Sequence, residues 1–189
     1  MDLALWFASR ATGLVALPLL TLSLVLGIVA GGRMGSERWP RFALAALHRN
    51  ISLMIVLFLA VHVSTSIIDP YAGIGWLDAV VPFISVYRPL WLGLGAIALD
   101  LLIAVLVTSL LRTRISVRLW RGVHWTGYAC WPVALAHGLG IGGKDSGLGW
   151  VISLNVICVL VVGAALIVRL RGGGHPDNAV RRAASHGGR

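Results

Sequence analysis

Five stretches of this 189-residue chain, at roughly 3–31, 42–68, 89–111, 119–141 and 149–170, are almost wholly apolar. A helix rises about 1.5 Å per residue, so about 20 residues cross a hydrocarbon core of about 30 Å. Inside that core every backbone N–H and C=O must find its partner within the protein, and runs of this length can do so only as helices. The sequence therefore predicts an all-α fold, a polytopic membrane bundle of about five transmembrane helices. Composition agrees: 58% of the residues are apolar and 12% charged, against about half and about a quarter in soluble domains.

The formal charge of +9 does not point to nucleic acid, because the basic residues are sorted along the chain and are not gathered with aromatics on one soluble face. The first link holds Arg33, Arg38 and Arg41, the third Arg112, Arg114, Arg118 and Arg121, and the tail Arg169, Arg171, Arg181, Arg182 and Arg189. The second and fourth links are nearly neutral. By the positive-inside rule the N-terminus lies outside and the C-terminus inside, as five crossings of the cell membrane require. Residues 1–31 lack the charged start of a cleavable signal, and their apolar run exceeds its usual length of about 7–15 residues, so they are read as the first span. Cys130 and Cys158 fall inside predicted helices, form no CxxC pattern and are read as packing residues. Residues 1–171 form the membrane domain. Residues 172–189, GGGHPDNAVRRAASHGGR, form a disordered basic tail in which His175 and His186 have no assigned role.

The other four histidines lie within predicted spans: His48 and His62 on the second, His124 and His137 on the fourth. Polar residues at membrane depth are costly and mark function by default, although a neutral imidazole can also serve helix packing. The second and fourth spans run in the same direction. His48 and His124 therefore lie near the inner side, His62 and His137 near the outer side, with the two levels about 20 Å apart. Two neutral imidazoles from facing helices suit a six-coordinate haem iron that passes electrons without binding substrate at the metal. Fourteen residues return to within about 40° of one helix face, whereas thirteen leave His124 and His137 about 140° apart on an ideal helix. The fourth span thus needs a distortion, for which Pro132 is placed. A bare zinc or copper ion would require three or four ligands at one level. A proton relay generally uses acidic residues, and Asp100 is the one acidic residue deep in a span.

The segment LWRGVHWTGYACWPVALAHG (119–138), with Trp120, His124, Tyr128 and His137, resembles the haem-binding helix of the ferric reductase-like transmembrane domain family. LHR at 47–49 with His62 fourteen residues after His48 is similar to that family's other haem helix, and LGLGAIALDLLIAVLVTSLLR (92–112) to the helix between them. The resemblance covers roughly residues 5–170. It implies two b-type haems (heme b), each bis-histidine, with His48 and His124 as iron ligands of the inner one and His62 and His137 of the outer one. It also implies electron flow across the membrane. NADPH oxidases and eukaryotic ferric reductases continue into flavin and nicotinamide domains, whereas this chain ends about 20 residues after its last helix. Electrons are therefore expected from a separate flavoprotein or from quinol, bound for an extracytoplasmic acceptor such as ferric iron, oxygen or a flavoprotein. The GLGIGGKDSGLG run (138–149) follows a helix and not a strand, so it is read as a flexible link and not a dinucleotide loop.

Arg10 lies near the level of the outer pair and is a candidate for a haem propionate, which favours a bidentate donor; a snorkelling arginine is the alternative. Arg49 and Arg121 flank the inner ligands and are candidates for its propionates or, equally, topology markers. Trp131 lies midway between His124 and His137, in the space between haems or simply in the core. The link at 71–88 is expected to hold an interfacial helix capping the outer haem. The leading functional reading is an electron-transferring di-haem cytochrome b, either a reductase or an electron-transfer subunit of one. The alternative is a non-redox bundle, a transporter component or assembly anchor whose histidines serve packing or proton transfer.

Overall fold

A computed structural model of the chain describes residues 3–31 and 40–172. Its helices are α1 (Leu3–Gly31), α2 (Arg41–Ile68), α3 (Trp76–Val80), α4 (Pro89–Leu110), α5 (Val117–Trp125), α6 (Gly127–Ile141) and α7 (Gly149–Gly172), with a 3-10 turn at Gly143–Gly147. No strand occurs among the described residues. Helices α1, α2, α4 and α7 are each long and apolar enough to cross a membrane, and the chain is a multi-pass helical membrane protein.

The fourth expected span is not one helix. It is divided at Thr126 into a nine-residue α5 and a fifteen-residue α6, so four continuous spanning helices stand where five were expected. Two features of the sequence explain the division. Helix α5 reads VRLWRGVHW, too polar along one face to extend a hydrocarbon span. At Thr126 the backbone N–H donates to Val123 O at 3.0 Å and the hydroxyl to the same carbonyl at 2.7 Å. That carbonyl is thereby drawn into a tighter i to i−3 turn. The distortion expected at Pro132 is thus already made at Thr126, and Pro132 follows inside α6.

Helix α1 packs along α2 and α4 along α6, and α1 joins the two pairs by packing also on α6 and α7. Where they meet lies a small core in which Leu20, Ile55, Cys130, Trp131 and Cys158 are buried. Trp131 is 7% exposed, and its indole N–H donates to Thr21 Oγ1 at 2.8 Å. The Thr21 hydroxyl in turn donates to Leu17 O at 2.9 Å, so each polar atom that enters this core brings its own partner. Cys130 Sγ donates to Ala98 O at 3.4 Å, and both cysteines are free thiols. On the outward faces Leu57, Ile157 and Leu160 are each more than half exposed, as side chains that meet lipid are.

In the 71–88 link, where an interfacial helix was expected, the structure has the five-residue α3. Its end is strained: Phe83 (φ 68°) and Arg88 (φ 43°) adopt left-handed backbone, uncommon for residues with a Cβ. Arg88 is held there by donation from Nη1 to Gly140 O at 2.9 Å, and Pro89 starts α4 directly after it. The 138–149 run is more ordered than a flexible link, since α6 continues to Ile141 and the 3-10 turn follows. The basic link around Arg33 and Arg38, and the tail with His175 and His186, lie outside the described residues.

Candidate histidine-pair sites

His62 on α2 and His137 on α6 meet with ring centroids 6.4 Å apart and planes at 82°. His62 Nδ1–H donates to Ser9 O of α1 at 2.8 Å, and His137 Nδ1–H donates to Trp91 O of α4 at 2.7 Å. A carbonyl can only accept, so the proton sits on Nδ1 in both rings and Nε2 keeps its lone pair for a metal. Each ring rests on bare backbone. A Cβ at Gly13 would lie 2.9 Å from His62 and one at Gly95 2.6 Å from His137, so only glycine admits the imidazoles. Trp91 is placed in the same way, with its indole against Gly140.

Beside this pair opens a cavity of about 880 Å³ whose lining includes Arg10, Gly13, His62, Gly95 and His137. Its size lies within the range of about 300–1,000 Å³ typical of cofactor sites. Arg10 donates from Nη1 to Gly142 O at 2.9 Å, lies 3.6 Å from Asp145 Oδ2 and stands over the Trp6 ring at 5.4 Å. The guanidinium therefore sits on the cavity wall at the level of the pair, tied to the turn beyond α6.

His48 on α2 and His124 on α5 meet with centroids 6.3 Å apart and planes at 67°. His48 Nδ1–H donates to Ser23 O at 3.0 Å, the same device used by His62 and His137, and Ser23 Oγ lies 3.3 Å from both His48 Nδ1 and Ser52 Oγ. His124 differs. Its Nδ1 is buried without a partner among the described residues, and the Trp120 indole stacks on its ring at 5.1 Å and 26°.

These spacings test the fit of a haem iron. Two imidazoles that shared one metal ion through Nε2, with a metal–nitrogen bond of about 2 Å and about 1.1 Å more from nitrogen to ring centre, would stand with their centroids up to about 6.2 Å apart. The two pairs stand at 6.3 and 6.4 Å. Among the described residues no group of three or more histidine, cysteine or acidic side chains converges, so each level offers two ligands and no more. At the His62–His137 level both rings have a hydrogen-bonded Nδ1 and at the His48–His124 level one has, donor sets that would suit a bis-histidine iron.

The structure thus brings together His48 with His124 and His62 with His137, and places Arg10 by the latter pair. Arg49 is exposed, and Arg121 lines a shallow surface groove with Arg118 and Trp125. Asp100 makes no ion pair among the described residues. Sequence reasoning missed Ser9, Gly13, Ser23, Trp91 and Gly95. The one local signal for the two glycines is that each stands in a membrane helix, where a small residue marks close approach.

Residues 12–143 match the family described as the ferric reductase-like transmembrane component. No curated protein and no solved structure matches the chain. The match takes in both histidine-bearing segments, the helix between them and well over half of the residues, and so the chain belongs to the ferric reductase-like transmembrane family.

Proposed function

We propose that this chain is a transmembrane di-haem cytochrome b that carries electrons from a cytoplasmic donor or quinol to an extracytoplasmic acceptor. The observation that carries the reading is the matched spacing of the two histidine pairs, 6.3 and 6.4 Å, at two levels of one bundle. Membership of the family supports a transmembrane electron-transfer role. Bound haem supplies one-electron redox chemistry. The chain's own residues do the rest.

His48, His62, His124 and His137 supply the ligands, and the carbonyls of Ser9, Ser23 and Trp91 hold three of them with Nδ1 protonated. A strongly hydrogen-bonded Nδ1–H makes the ring a better donor at Nε2 and stops it turning. Arg10, on the cavity wall, offers the cation that a carboxylate of the cofactor needs in so apolar a place. With the basic links inside, the His48–His124 level is the inner one and His62–His137 the outer one. The donor is a separate flavoprotein or quinol, and the terminal acceptor is ferric iron, oxygen or an extracytoplasmic flavoprotein.

The test is the haem-to-protein ratio, by pyridine haemochrome, of the purified chain beside His62→Ala and His124→Ala. The expected ratio is near two, falling to near one in each variant. A colourless protein overturns the reading and leaves a histidine-bearing helical bundle of packing or proton-relay function.

A further inference from the structure

Three of the four histidines share one device, an Nδ1–H donated to a backbone carbonyl of a neighbouring helix: His48 to Ser23, His62 to Ser9 and His137 to Trp91. His124 has none, and its Nδ1 is buried without a partner among the described residues. What it has in place of a carbonyl is a face. The Trp120 indole lies nearly parallel to the imidazole, 5.1 Å away at 26°. Arg112 also stands over that indole, its guanidinium carbon 5.0 Å from the ring centroid. Arg112 follows the end of α4 and Trp120 sits one turn before His124 on α5, so the stack ties the end of one helix to the start of the next. Trp120 Nε1 is likewise buried and unpartnered among the described residues, so what fixes the indole there is its contact with His124 and Arg112.

We propose that Trp120 is the positioning residue of His124: stacking orients this ring as backbone carbonyls orient the other three, and this makes the His48–His124 site the more loosely held of the two. The inference rests on the di-haem reading. Stacking resists tilting of a ring but leaves it free to slide, whereas a hydrogen bond fixes a direction. A ligand without an Nδ1–H acceptor is also a weaker donor to its metal. Both effects favour departure of His124 over departure of any other ligand.

The experiment compares wild type, Trp120→Phe and Trp120→Leu, purified with haem, by optical and electron paramagnetic resonance spectra and by carbon monoxide uptake of the reduced protein. In Trp120→Leu one haem of the two is expected to become five-coordinate and high-spin and to bind carbon monoxide, or to be lost, while the His62–His137 haem stays six-coordinate. Trp120→Phe, which keeps an aromatic face, is expected to hold both haems six-coordinate. Two six-coordinate haems unreactive to carbon monoxide in Trp120→Leu overturn the proposal, as does a Phe variant as impaired as the Leu variant. Should Trp120→Leu fail to accumulate, carbon monoxide replacement in wild type decides. The proposal requires it to be several-fold faster at the haem that is missing from His48→Ala, and equal rates overturn it. A wild-type protein without haem sinks the di-haem reading itself, an outcome distinct from all of these.

Discussion

An imidazole in a membrane helix is useful to a metal only when one nitrogen is free and the other is fixed, and Ser9, Ser23 and Trp91 fix Nδ1 through main-chain oxygens. The price of this arrangement is room, which glycine supplies. Gly95→Val puts branched carbon where even a Cβ would stand 2.6 Å from His137. On the di-haem reading proposed above, the expected result is loss of about one haem per chain with the one at His48–His124 retained, read from the haemochrome ratio; an unchanged ratio contradicts the packing argument. Arg10→Ala removes the cation from the cavity wall, and the outer haem is expected to pass to an apo-globin trap several-fold faster, with Arg10→Lys intermediate. Trp131→Phe leaves the Thr21 hydroxyl without its indole donor. It is expected to cost about 1 kcal/mol of stability, measured by thermal unfolding in detergent, with the haem spectrum unchanged. None of the carbonyl partners was legible in the sequence, because a main-chain oxygen carries no residue signature. The histidines were legible because imidazole at membrane depth is rare and costly.

At the scale of the element, α2 and the α5–α6 segment solve one problem in two ways. On α2 the fourteen-residue spacing brings His48 and His62 to nearly one face with no distortion. The thirteen-residue spacing of His124 and His137 does not, and the break at Thr126 turns α5 relative to an uninterrupted helix. Thr126→Val removes the hydroxyl that bonds Val123 O at 2.7 Å while keeping the side-chain shape. It is expected to shift the Soret absorption of the His48–His124 haem and leave the other unchanged. Pro132→Ala, which restores a missing N–H inside α6, is expected to leave the haem ratio at its wild-type value, since the break precedes it. A haem lost from Pro132→Ala and kept in Thr126→Val would return the distortion to the proline. That a distortion was required could be read from residue spacing. Its position could not, because it depends on which carbonyl a threonine hydroxyl captures.

At the scale of the whole molecule, charge sorting makes a prediction about sidedness. In intact cells a single added cysteine at Lys144 is expected to react with an impermeant maleimide, and one at Arg114 only after permeabilisation. Cys130 and Cys158 are buried and give a low background. The reverse pattern would invert the bundle and exchange the inner and outer haem sites. Run length and charge order determined by themselves that the chain spans a membrane in long helices and carries histidines at two levels. Both properties are local along the chain: a helix in hydrocarbon satisfies its own backbone, and its rise sets the depth of each residue. Tertiary structure alone decided which nitrogen of His48, His62 and His137 is bonded, which glycines admit the rings, and that no carbonyl among the described residues reaches His124 Nδ1. Those features arise from pairs such as Ser9 with His62 and Trp91 with His137, residues far apart in the chain that meet only when the helices have packed.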